Sequence, residues 1–116
     1  MASRIEVEQF LTEFFVKYRI FDILFTERIH QKNAQTAAML DLTTVQKKKI
    51  IESLDVRNYV GGPIDDILYK GSGMWIFGYT YKTYEIYIKI SMGGTSASVI
   101  CISFHISQFP MAYPFN

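Results

Sequence analysis

Few residues in this 116-residue chain can carry chemistry, and they gather in its last third. The run Tyr84-Glu85-Ile86-Tyr87-Ile88-Lys89-Ile90 reads as a strand, and strand side chains alternate between faces. Ile86, Ile88 and Ile90 therefore point one way, and Glu85, Tyr87 and Lys89 the other. In the run 98–106, Ile100, Ile102, Phe104 and Ile106 form an apolar row, which leaves Cys101, Ser103 and His105 opposite them. If these strands are antiparallel neighbours, Tyr87, Lys89, Ser103 and His105 share one polar face. A histidine, whose unperturbed pKa is about 6.5, is the residue suited to moving protons near neutrality, so that face is where chemistry is expected.

Other chemistries find less support. Ser103 and His105 stand two apart on one strand, about 6–7 Å by strand rise, too far for a nucleophile to bond its base. The single cysteine, Cys101, lies inside Val99-Ile100-Cys101-Ile102 and reads as a small core hydrophobe without a disulfide partner. With one cysteine and two histidines, His30 and His105, no zinc-ligand spacing is recognisable. Gly71-Ser72-Gly73 lacks the spaced glycines and the following helix of a phosphate-cradling loop. No metal and no cofactor is expected.

The elements that must position this face are legible from local signals. Ser3-Arg4-Ile5-Glu6 fits a capping box, and Val7, Phe10, Leu11, Phe14, Phe15 and Tyr18 then recur with the spacing of one helical face. The β-branched and aromatic run 19–25 predicts a first strand, and the alanine-rich run 33–40 a short helix capped by Asn33. Thr43-Thr44-Val45-Gln46 is a second capping box and opens a helix over 43–54. The span 57–73, with Gly61-Gly62-Pro63, Asp65-Asp66 and Gly71-Ser72-Gly73, reads as a loop region. Strands follow over 75–81, 84–90 and 98–106, joined by short connections. The expected fold is α+β: a small antiparallel sheet, built from a three-stranded C-terminal meander plus an N-terminal strand, with two to three helices packed on one face, all in a single domain over 1–116.

Composition narrows the setting. A 49% hydrophobic content is ample for one core at this length. No apolar stretch approaches the roughly 20 residues of a membrane span, so the chain is expected to be cytoplasmic with no membrane partner. Twelve basic residues against eleven acidic ones leave a nearly neutral molecule, so nucleic-acid binding would have to use a local patch. In the segment 110–116, two prolines and two aromatics suggest docking, on the domain or on a partner, rather than disorder.

The succession Met74-Trp75, Glu85-Ile86-Tyr87-Ile88-Lys89-Ile90 and Val99-Ile100-Cys101-Ile102-Ser103-Phe104-His105 resembles the sheet of MqsR-type toxins, within the wider RelE-like group. The helix over 43–54 and Arg57-Asn58-Tyr59 match that family's helix and following loop. The resemblance implies a ribosome-independent, metal-independent endoribonuclease that cuts mRNA, is neutralised by a cognate antitoxin protein and does not bind DNA by itself. The family's active-site tyrosine falls on Tyr87, and the basic residue closing its last strand falls on His105, where the family carries lysine. A family loop lysine falls on Gly61, and a glutamine on Ile76. On this resemblance His105 is the proton-transfer group, Tyr87 orients or protonates, and Lys89 or Lys70 stabilises the phosphate. The amides of Gly61-Gly62 assist, and Tyr59 or Trp75 stacks a base.

Plainer readings stand beside these. A histidine at a strand end and a tyrosine across from it need no function to explain them. Lys47-Lys48-Lys49 can be a solvated helix face rather than an RNA contact, and Asp65-Asp66 a turn feature rather than an acidic patch for a partner. The alternative function is a non-catalytic RelE-like module that binds a protein through the same sheet face.

Overall fold

The computed structural model describes residues 1–26, 40–65 and 73–116. Helix α1 spans Arg4–Phe21 and starts where its capping box requires: the Glu6 amide donates to Ser3 Oγ at 3.2 Å and the Ser3 amide to Glu6 Oε1 at 2.9 Å. Val7, Phe10, Leu11, Phe14 and Tyr18 are its buried face. The helix runs further than the sequence suggests. Arg19, Ile20 and Phe21 are exposed and have no sheet to join, while Tyr18 donates to Glu52 Oε2 at 2.7 Å and holds the last turn in place. Asp22, at φ 63°, then turns the chain, so strand β1 is only Ile23–Phe25. Helix α2, Thr44–Glu52, carries the second capping box, with Thr43 and Gln46 bonded reciprocally at 3.2 and 2.8 Å. The helix expected over 33–40 lies outside the described residues, apart from Leu40.

Four more strands follow: β2 (Tyr59–Asp65), β3 (Gly73–Tyr81), β4 (Tyr84–Ser91) and β5 (Val99–Ile106). The sheet order is β1-β5-β4-β3-β2, with β1 parallel to β5 and every other pair antiparallel. The sheet thus departs from expectation twice: it is mixed, and part of the span read as a loop is strand β2. Gly61-Gly62-Pro63 is tolerated there because β2 is an edge strand, and two register shifts against β3 absorb the irregular residues.

Both described helices pack on the isoleucine face. Phe10 stacks on Trp75 with ring centroids 4.4 Å apart, Lys47 Nζ sits 5.6 Å from the centres of Phe25 and Phe104, and Ile86, Ile88 and Ile90 are fully buried. A bulge changes the expected row on β5. Lys89 pairs with Ser103 and Ile90 with Cys101, so Ile102 is an extra residue and the inward parity switches. Phe104 faces the helices as expected, but beyond the bulge it is Cys101 and Val99 that join that core, not Ile102 and Ile100. Among the described residues no helix is long and apolar enough to cross a membrane.

Candidate active site on the outer face of the sheet

On the face turned away from the helices, β4 and β5 bring together the pairs that strand alternation demands. Tyr87 is the direct partner of His105, and at the next pair on this face, two residues along, Lys89 is the partner of Ser103. The Tyr87 and His105 rings stack, with centroids 5.0 Å apart and planes inclined by 14°. His105 is 6% exposed, and its Nδ1 lies 3.0 Å from the Ile106 carbonyl oxygen. A carbonyl only accepts, so in this contact Nδ1 is the donor.

Tyr87 is half-buried, and burial raises its pKa above the ordinary phenol range. It stays protonated at neutral pH and can donate but not abstract. Lys89 is half-buried on the same face, and Ser103 is fully buried, its Oγ without a hydrogen-bond partner among the described residues. An imidazole, a phenol and an ammonium thus lie on two successive pairs of this face.

The register extends these pairs across the sheet. Gly61, Ile76, Lys89 and Ser103 form one row, and Gly78, Tyr87 and His105 the next. Ile76 therefore lies directly beside Lys89 and Gly61 one strand further on, which makes this row less polar. Gly62 has a packing role: its φ is 97°, and a Cβ there would lie 2.6 Å from the Met74 carbonyl oxygen.

Tyr59 and Trp75, expected to stack a base, are on the other side of the sheet. Tyr59 is fully buried, accepts from the Ala2 amide at 3.1 Å and donates to the Gly62 carbonyl; Trp75 lies against Phe10. Both are part of the helix-side core, so neither shares a surface with His105. Lys70 lies outside the described residues. Lys48 pairs with Asp22 at 3.0 Å, and Lys47 lies over two core rings, so this part of the lysine run serves the domain itself.

Residues 110–116 dock on the domain, one of the two options that the sequence left open, but the sequence reading did not place them and Phe109 beside this face. Phe109 meets the Tyr87 ring edge-on at 6.0 Å, and Tyr113 Oη donates to Glu85 Oε1 at 3.3 Å. The signal was present as aromatic or large apolar residues at every second position from 109 to 115. Beside Gly78 a cleft of about 230 Å³ opens between Asp55, Arg57, Asn58, Thr80, Tyr113 and Asn116. Arg57 is held there by Asp55 at 2.9 Å. Among the described residues no three His, Cys, Asp or Glu side chains converge as a metal set. In comparisons with family models, curated proteins and solved structures, nothing matches this chain.

Proposed function

We propose that this protein is a toxin-type endoribonuclease that cleaves mRNA through Tyr87, His105 and Lys89 without a metal ion, acts in the cytoplasm and is neutralised by an antitoxin protein. The observation that carries the reading is the stacked Tyr87–His105 pair, one pair along from Lys89 and on the face opposite the helices. His105 Nε2 takes the proton of a ribose 2′-OH, and the 2′ oxygen attacks the adjacent phosphorus. The bond from phosphorus to the 5′ oxygen breaks as Tyr87 gives its proton to that oxygen. The products are a 2′,3′-cyclic phosphate and a 5′-hydroxyl, and proton return from the imidazolium to the phenolate resets the site. Lys89 offsets the charge gathering on the phosphoryl oxygens.

The second reading, a non-catalytic RelE-like module that binds a protein through this face, is favoured by one observation: His105 is only 6% exposed and segment 107–116 lies over its stacking partner. One experiment separates the two. The purified protein is incubated in excess chelator with a long unstructured RNA, alongside His105→Ala. Discrete cleavage that falls by about 10²-fold or more in the variant supports the ribonuclease, since a positioned acid or base contributes that much. Equal cleavage by both proteins removes His105 from the chemistry and points to another acid-base residue or a contaminating nuclease, and no cleavage by either moves the assignment to the binding module.

A further inference from the structure

Residues 107–116 do not leave the domain. The Ser107 amide donates to the Glu85 carbonyl at 2.8 Å, which starts the segment across the outer face at the first residues of β4. From there odd-numbered side chains touch the domain and even-numbered ones are exposed. Phe109 lies edge-on to Tyr87, Met111 and Tyr113 cover Gly78, and Phe115 stacks on Tyr59 at 5.5 Å, past the point where β2 stops pairing with β3.

Gly78 is cut to fit this cover. A Cβ there would lie 2.3 Å from Tyr113 Oη and 2.9 Å from Met111 Cε. The hold is uneven along the segment. Met111 is 9% exposed and Phe115 packs against the core, whereas Phe109 is 54% exposed. The part against Tyr87, the stacking partner of His105, is therefore the part with least to keep it there, and local opening starts where burial is least.

We propose that residues 107–116 form an occluding strap, anchored at Met111, Tyr113 and Phe115, whose Phe109 end must swing off Tyr87 before a ligand reaches His105. The geometry stands by itself; its consequence, that RNA cleavage is gated by the strap, rests on the ribonuclease reading. A closed strap lowers apparent affinity by the fraction of molecules that are open.

The test reads access and activity separately. Diethylpyrocarbonate acylates accessible imidazoles, and peptide mapping separates His105 from His30. Wild type, Phe109→Ala, Phe109→Tyr and Gly78→Ala are compared as full-length folded chains. Phe109→Ala is expected to raise the His105 acylation rate about two- to tenfold, the population change produced by loss of one edge-to-face ring contact, and RNA cleavage by a similar factor. Gly78→Ala, which pushes on Tyr113 and Met111 from below, should act in the same direction, and Phe109→Tyr, which keeps the ring, should match wild type. Unchanged acylation in both Phe109→Ala and Gly78→Ala overturns the strap, whatever the RNA assay gives. Raised acylation without RNA cleavage by any of the proteins keeps the strap and removes the ribonuclease reading instead.

Discussion

At the scale of single residues, the site depends on what two rings can do and not on their presence alone. The Nδ1 of His105 donates to the Ile106 carbonyl, and burial raises the Tyr87 phenol above its ordinary range. On the proposed ribonuclease reading the imidazole is the base and the Tyr87 hydroxyl the donor. Tyr87→Phe keeps the ring stacked on His105 and removes only the donor. It should lower RNA cleavage by about 10²-fold while the melting temperature stays close to that of wild type. Full activity in a folded Tyr87→Phe protein would give the donor role to another group.

The same scale shows how a side chain of the right type can be spent elsewhere. Tyr59 and Trp75 have the rings to stack a base, yet both face the helix side, where Tyr59 is fully buried and Trp75 lies against Phe10 of α1. Residue type alone could not reveal this, because a strand residue's face depends on register. Tyr87 and His105 were legible because their strands alternate cleanly around them.

At the scale of elements, local signals decided what local chemistry decides. Both capping boxes form, because a hydroxyl and a carboxylate or amide three residues on satisfy first-turn amides whatever surrounds them. Two tertiary features stayed hidden. Strand β2 contains Gly61-Gly62-Pro63, a sequence that signals a break, and only its place at the sheet edge makes it a strand. The bulge in β5 was hidden because the run from Val99 to Ile102 is apolar at both parities, so no alternation marks the slip.

Gly62 tests how closely β2 must approach β3. With φ at 97° and a Cβ position 2.6 Å from a backbone oxygen, Gly62→Ala combines backbone strain with a clash that no side-chain rotation relieves. It should destabilise the protein by about 1–3 kcal/mol, read as a shift of the urea midpoint. An unchanged midpoint would show that β2 can stand away from β3 at no cost.

At the scale of the whole molecule, the central sheet is enclosed more than its composition implied. Helices cover one face, and β5 is buried along nearly all its length, Ser103 and His105 included. Enclosure leaves a titration signature. Burial lifts the Cys101 thiol to about 12 and raises Tyr87 and Tyr113 above the ordinary phenol range. Tyr18 is raised as well, by burial first and then by its bond to Glu52.

Each of these groups keeps its proton longer in the folded chain than in the unfolded one. As pH rises through the unfolded thiol and phenol range, about 8.5–10, the unfolded state loses protons first and gains stability relative to the fold. Stability should therefore be level from neutrality up to that range and fall above it, with the Cys101 slope fading only near pH 12. Urea midpoints measured from pH 7 to 11 check this, and Cys101→Ala should soften the onset of the fall. A flat profile to pH 11 would contradict the burial of these groups.

The central claim is that this face activates a ribose 2′-OH, and the most direct measurement puts the change in the substrate. Two single-stranded oligonucleotides spanning a mapped cleavage site are compared in excess chelator, one all-ribose and one with a 2′-O-methyl group on the nucleotide 5′ to the cut. The account predicts that the first is cut to 2′,3′-cyclic phosphate and 5′-hydroxyl ends and that the second is not cut at that bond. Cleavage of both at the same rate, or ends carrying a 5′-phosphate, would contradict it.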